Sequence, residues 1–206
     1  MLTEPTAHII SPDTGTMSGA SGKYEKKLCD LDGLYADQSA FKAQASSGGD
    51  TIVYEVCEQR PTQQTGDLIF GTTWMRPGRI GNEFYMTRGH IHAQANRPET
   101  YYGEAGRGVM LLESPEGDVR TLEITSRVLV YVPPLWIHRS INTGDQPLVM
   151  SFCYPSDSGQ DYGIIARSGG MAQRIISVGD GWEAVPNKSY RPRTKDEIAA
   201  VYATCD

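Results

Sequence analysis

The sequence predicts an all-β-dominated fold: a jelly-roll β-barrel with an N-terminal extension and a short C-terminal helix. Three observations predict it. Between residues 51 and 154 the chain is a series of short runs rich in β-branched and aromatic residues, at 51–56, 67–74, 83–86, 100–102, 108–113, 119–124, 128–132, 137–141 and 148–154. Short strands at this spacing, with no helical period between them, point to an antiparallel sandwich or barrel. Turn signals punctuate the runs: Glu104-Ala105-Gly106, Pro115-Glu116-Gly117-Asp118 and Asn142-Thr143-Gly144-Asp145. Finally, three of the four histidines fall into one pattern that a barrel interior would bring together.

Taken in order, residues 1–50 form the extension packing on the barrel. Leu28, Leu31, Leu34 and Phe41 make a partly helical pattern interrupted by Gly33, and Ala45-Ser46-Ser47-Gly48-Gly49-Asp50 reads as a loop leading inward. Residues 51–170 are the barrel with the candidate site. Residues 171–206 turn polar past Gly179, with Pro186 and Pro192, as expected of a segment wrapping the outside. Thr194-Lys195-Asp196-Glu197 has the spacing of a capping box and precedes an apolar-polar stretch at 198–202, so a terminal helix is expected there.

Length and charge bound the function. A chain of 206 residues holds one substantial core rather than two. Its formal net charge of -6 argues against a nucleic-acid partner, because a phosphate backbone demands a basic face. No apolar run is long enough to span a membrane, and Met1-Leu2-Thr3-Glu4-Pro5 has no basic region leading into an apolar one, so a cytoplasmic enzyme is expected. Cys29, Cys57, Cys153 and Cys205 form no C-x-x-C pair and read as structural thiols.

The chemistry concentrates in Gly89-His90-Ile91-His92, followed by Glu99 and, far along the chain, His138. His90 and His92 are one residue apart, so an extended backbone turns both imidazoles to one face. The polar stretch 93–98 is long enough to turn the chain back and present Glu99, while His138 reaches the same point from a distant strand. Three imidazoles and one carboxylate suit a borderline divalent metal such as Fe²⁺, Mn²⁺, Ni²⁺, Co²⁺ or Zn²⁺.

The flanking residues narrow this further. Thr87-Arg88-Gly89-His90-Ile91-His92, Glu99-Thr100-Tyr101-Tyr102 and Gly106-Arg107-Gly108-Val109-Met110-Leu111-Leu112 resemble the cupin-type glucose-6-phosphate isomerases. So do Tyr131-Val132-Pro133-Pro134-Leu135-Trp136-Ile137-His138-Arg139-Ser140-Ile141-Asn142-Thr143-Gly144-Asp145 and Tyr154-Pro155-Ser156-Asp157-Ser158-Gly159-Gln160-Asp161-Tyr162-Gly163. The likeness runs from residue 53 to residue 169. It implies a cupin barrel and a metal-dependent interconversion of glucose 6-phosphate and fructose 6-phosphate by a homodimer. It also implies a metal on His90, His92, Glu99 and His138, with substrate or phosphate contacts at Thr73, Thr87, Gly89, Tyr101 and Tyr154.

Those contacts make chemical sense, since a phosphate dianion wants hydroxyl and backbone N–H donors. Thr72 is expected to point away from Thr73, and Arg88 is either a further cation for the substrate or a solvated surface charge. Two departures from the family's pattern stand out: Gln160 replaces a histidine associated with opening of the sugar ring, and Leu135 replaces a tyrosine, which would remove a hydroxyl from the pocket. Glu99, the one carboxylate of the set, is the candidate base for moving the proton from C2 to C1. Two rival readings use the same residues: a metal-dependent dioxygenase, and a non-catalytic sugar-phosphate-binding cupin with a structural metal.

Overall fold

The computed structural model describes residues 4–62 and 64–205; residues 1–3, Gln63 and Asp206, which belong to the segments expected above, lie outside them. Thirteen strands form among the described residues. They are β1 (Gly22–Lys27), β2 (Ile52–Gln59), β3 (Leu68–Met75), β4 (Arg79–Ile80), β5 (Glu83–Phe84), β6 (Glu99–Ala105) and β7 (Arg107–Glu113). Then follow β8 (Val119–Thr125), β9 (Leu129–Val132), β10 (Ile137–Asn142), β11 (Leu148–Pro155), β12 (Gln173–Val178) and β13 (Gly181–Pro186). The helices are α1 (Gln38–Gly48), α2 (Gly163–Arg167) and α3 (Lys195–Tyr202).

The strands make a jelly-roll whose sheets do not close into one hydrogen-bonded barrel. A six-stranded sheet, β1-β2-β3-β11-β6-β9, is antiparallel at every pairing. Opposite it stands the three-stranded sheet β10-β7-β8. Period-two patterning sets the inner face of the large sheet: Val130 and Val132 of β9 are buried while Leu129 and Tyr131 are exposed. Register then assembles the interior row by row. Glu58 pairs with Gly71, Gly71 with Phe152 and Phe152 with Tyr101, so these four side-chain positions lie in one line across the sheet. Gly71 is required in that row, because a Cβ there would sit 2.8 Å from the Phe152 ring and closer still to the Cys57 carbonyl.

The outer face of β3 is covered by the N-terminal segment. The Thr72 hydroxyl donates to the Gly15 carbonyl, and the His8 ring packs edge-on against Phe70 at 5.3 Å. Thr72 therefore points outward and Thr73 inward, as alternation requires, and the fourth histidine is taken up by this packing.

Strands β7 and β10 are buried on both faces. Their second face is covered by a third sheet, β13-β12-β5-β4, where Leu111 and Ile141 meet Met171 and Ile175. Of this sheet's strands the sequence announced only the run at 83–86, which holds β5. The 171–206 segment was expected to wrap as a polar strap, yet residues 173–186 form the β12–β13 hairpin, which buries one face only and so carries polar residues on the other. Strand β1 was also missed: Lys23, Glu25 and Lys26 hide it in the sequence, and such charges are how an edge strand resists pairing with another chain.

Two further expectations met different fates. Helix α1 starts at an Asp37 cap, whose carboxylate accepts from Ala40 N at 2.8 Å, and it continues through Ala45-Ser46-Ser47, which the sequence suggested as loop. Ser46 and Ser47 turn their hydroxyls back onto the carbonyls of Ala43 and Gln44, so the helix accommodates both. Helix α3 begins where the capping box placed it: Glu197 N donates to Thr194 Oγ1 and Thr194 N to Glu197 Oε2. No helix among the described residues is long and apolar enough to cross a membrane.

Candidate metal centre and substrate cleft

His90 and His138 meet through backbone pairing. His90 N donates to His138 O at 3.1 Å and His138 N to His90 O at 2.9 Å, so the two residues stand opposite one another and their ring centroids are 4.4 Å apart. On the other side Ile91 exchanges backbone hydrogen bonds with Asp161. The chain at 90–91 is thus extended and bridged on both edges without belonging to a longer ladder, and His92 follows on the same side as His90.

Glu99 opens β6 on the facing sheet and completes the cluster. Its Oε2 lies 3.0 Å from Nε2 of His138, 3.4 Å from Nε2 of His92 and 3.8 Å from Nε2 of His90. All four residues are buried. His90, Glu99 and His138 offer ligand atoms within 4.8 Å of one another, and His92 joins them through its approach to Glu99.

The cluster fits a metal cation on its own chemistry. The Nε2 atoms of His90 and His92 are buried and have no hydrogen-bond partner. Nδ1 of His92 lies 2.8 Å from Arg97 O, and Nδ1 of His138 lies 3.1 Å from Trp136 O. A carbonyl at Nδ1 fixes each ring and turns its Nε2 toward Glu99, which is how proteins orient ligating imidazoles. Burial and then neighbouring His138 hold the His90 imidazole well below its ordinary pKa, hence neutral. Burial opposes the charge on Glu99, but the close contacts with His138 and His92 outweigh it and keep the carboxyl below the usual carboxylate range. A neutral His90 imidazole beside a charged Glu99 carboxylate is the pairing of protonation states that ligation requires.

The supports of His92 were not foreseen. Arg97 is gripped by Asp157 through two bonds, Nε–Oδ1 at 2.9 Å and Nη2–Oδ2 at 2.8 Å, and this fixes the carbonyl that receives His92.

Above the cluster opens a narrow cleft between the two facing sheets. Every residue expected to contact substrate lines it: Thr73, Thr87, Gly89, Tyr101 and Tyr154, together with His90, Glu99 and His138. His92 does not; it backs the cluster from the side of α3. Thr87 Oγ1 accepts from Ser140 N at 3.1 Å, which leaves its hydroxyl proton free to donate. Gly89 has φ +71, and a Cβ there would lie 2.8 Å from His138 O and from Ile165, so only glycine fits. The Tyr101 hydroxyl is pushed well above its ordinary pKa by burial and then by the charge of Glu99.

Other lining residues escaped the sequence: Tyr24, Tyr54, Glu58, Phe152 and Tyr162. Their only local signal was alternation on β2, which puts Tyr54, Val56 and Glu58 on one face. Gln160 also lines the cleft, and its Oε1 accepts from the Tyr162 hydroxyl. Leu135 does not line it, so the change from tyrosine removes no hydroxyl there. The four cysteines are free thiols, and Cys29 is exposed rather than buried.

The glucose-6-phosphate isomerase (GPI) family matches residues 25–193. Over 202 residues the chain is 56% identical to a glucose-6-phosphate isomerase of Sinorhizobium medicae, covering 98% of this chain and 94% of that one. Over 166 residues it is 43% identical to a glucose-6-phosphate isomerase of Thermococcus litoralis, covering 81% and 86%. The corresponding protein of Pyrococcus furiosus is 41% identical over 191 residues, covering 93% and 100%. Among solved structures, an oxalate oxidase in complex with the substrate analogue glycolate aligns at 14% identity and a TM-score of 0.45, over 53% of this chain and 55% of that one. By the span of the family match and by identity over nearly its whole length to these relatives, the chain belongs to the glucose-6-phosphate isomerase family.

Proposed function

We propose that the protein is a metal-dependent aldose–ketose isomerase that interconverts glucose 6-phosphate and fructose 6-phosphate in the cytoplasm, serving glycolysis and gluconeogenesis. The observation that carries this reading is the buried cluster of His90, His92, Glu99 and His138 at the floor of a cleft lined by tyrosine and threonine hydroxyls, in a chain of this family. Those four residues would hold the metal, Fe²⁺ in this proposal, which when bound acts as a Lewis acid on the oxygens at C1 and C2.

The chain's own groups do the rest. Thr73, Thr87 and the Gly89 N–H bind the phosphate as neutral donors. Tyr101 and Tyr154 hold the sugar hydroxyls, and the aromatic walls exclude water. Glu99 turns one oxygen to the histidines, leaving the other to take the proton from C2 of the open-chain aldose and deliver it to C1. A hydroxyl proton crosses from O2 to O1 in the same conversion, so the product is the ketose and nothing else is consumed. Gln160 cannot titrate, so ring opening is left to water or to the spontaneous open-chain fraction.

A homodimer belongs to the same proposal. Leu129 and Tyr131 of the edge strand β9, and Tyr102 of β6 beside it, are 64%, 54% and 38% exposed on the outer face of the large sheet, apolar area that a second copy would cover. Leu129→Glu should convert a dimer to a monomer in sedimentation.

The deciding experiment is a coupled assay of fructose 6-phosphate consumption, run anaerobically before and after chelation. Activity lost with the metal and restored by Fe²⁺ or Mn²⁺ supports the isomerase. Oxygen uptake on an organic substrate without isomerisation would transfer the site to dioxygenase chemistry.

A further inference from the structure

A second cavity lies behind the cleft, on the far side of Arg88 and Tyr162, which line both. It offers about 500 Å³ between the 32–38 segment, β10 and α2. Its cations outnumber its carboxylates, since Arg88, Arg139 and Arg174 line it against Asp32 alone. Arg174 is matched by Glu83 at 2.6 Å. Neither Arg88 nor Arg139 forms a salt bridge among the described residues; Arg88 donates to the Asp30 carbonyl instead.

Arg139 is the unusual member. It is 5% exposed, yet its guanidinium meets only neutral acceptors: the Arg88 carbonyl, through Nε at 3.2 Å and through Nη2, and Met86 Sδ, through Nη1. Three such bonds leave part of a five-donor fork unused. A buried guanidinium with no carboxylate in contact is costly to maintain. Beside it, Tyr35 is 2% exposed, lines the same cavity and carries a buried hydroxyl with no hydrogen-bond partner. Two guanidinium groups without a salt bridge and a spare phenol, all lining one cavity, supply donors that suit an oxyanion with three terminal oxygens, one more than a carboxylate offers.

We propose that this cavity is a second anion site, separate from the sugar-phosphate cleft, which takes a phosphate-bearing small molecule on Arg139, Arg88 and the Tyr35 hydroxyl. The site is placed to influence the cleft. Arg139 holds the Arg88 carbonyl, and Arg88 sits between Thr87 and Gly89, so an anion drawing on Arg139 acts on the loop that binds substrate. By linkage, substrate in the cleft changes the affinity of the anion by the same factor.

Equilibrium dialysis of the metal-loaded protein against radiolabelled inorganic phosphate tests this by counting sites. Ala166 is exposed on α2 at the rim of the cavity and away from the cleft. Ala166→Glu, which places a carboxylate there, should bind one phosphate per chain fewer than the wild type. Tyr35→Phe should weaken the same site by about tenfold, the worth of one hydrogen bond to a charged group. Both variants should keep the wild-type turnover of fructose 6-phosphate at saturation. Equal phosphate counts in the wild type and Ala166→Glu would overturn the proposal. The count does not depend on catalysis: absence of isomerase activity in all three proteins would sink the isomerase reading and leave the second site to be judged on phosphate alone.

Discussion

Glu99 stands where two demands meet. One of its oxygens faces three imidazole nitrogens within 3.8 Å, and the close contacts on that side hold the carboxyl charged. A ligated carboxylate is a weaker base, so its part in proton transfer needs its own measurement. If Glu99 carries the C2 proton, turnover in D₂O places deuterium at C1 of fructose 6-phosphate, and Glu99→Gln abolishes turnover while retaining part of the metal on the three histidines. Complete retention of the C2 hydrogen would assign Glu99 to metal binding alone. Gln160 is a different case. It lines the cleft and accepts from Tyr162 but cannot shuttle a proton, so Gln160→Ala should lower kcat by less than about tenfold, short of the loss on removing a general acid or base. A collapse of kcat at unchanged KM would show that the amide holds an essential water or substrate group. These residues were legible because their types are unusual and their spacings short. Tyr24, Tyr54 and Tyr162 were not, because a tyrosine in a strand is ordinary until pairing brings it to a cleft.

The segment between His92 and β6 shows how an irregular stretch becomes a rigid one. Arg97 reaches across to Asp157, in the turn after β11, and its carbonyl orients His92. Asp157 touches no ligand atom, yet Asp157→Asn should lower metal affinity by about 10- to 100-fold, as loss of an outer partner of a ligating histidine does. Titration of the metal-free protein would measure this, and circular dichroism should show the fold intact. Unchanged affinity would mean that the turn at 94–97 holds His92 unaided. The sequence offered no hint of the Arg97–Asp157 pair, because the two residues are separated by six strands. At the other extreme, the capping box of α3 is complete within four residues, and so it was readable directly.

Across the molecule, the C-terminal segment is pinned to the jelly-roll by a buried ion pair. Arg193 Nη1 lies 2.7 Å from Glu113 Oε1, with side chains 2% and 0% exposed. Glu113 also accepts from Tyr190 and from Ala172 N, so one carboxylate at the end of β7 ties down both ends of the β12–β13 hairpin region. Removing one partner of such a pair leaves an uncompensated buried charge. Glu113→Ala should therefore destabilise the protein by about 3–5 kcal/mol, read as a lowered urea midpoint, whereas a loss under about 1 kcal/mol would mean that water reaches Arg193. Metal loading should raise stability in the opposite sense, because an ion bound only by the folded state shifts the equilibrium by mass action.

What the sequence determined by itself is local: strand alternation, the turns, the α3 cap, and the presence of three histidines and a carboxylate in a spacing that suits a metal. Each follows from sterics and hydrogen bonding within a few residues, so each is encoded where it occurs. The tertiary structure alone decided which of these met. It set His138 against His90 by one backbone bridge, placed Glu99 on the facing sheet, and drew β12–β13 over β10 and β7. It also left Arg139 without a salt-bridge partner among the described residues. Those outcomes depend on register between strands far apart in the chain, where a shift of one residue would turn every side chain to the other face.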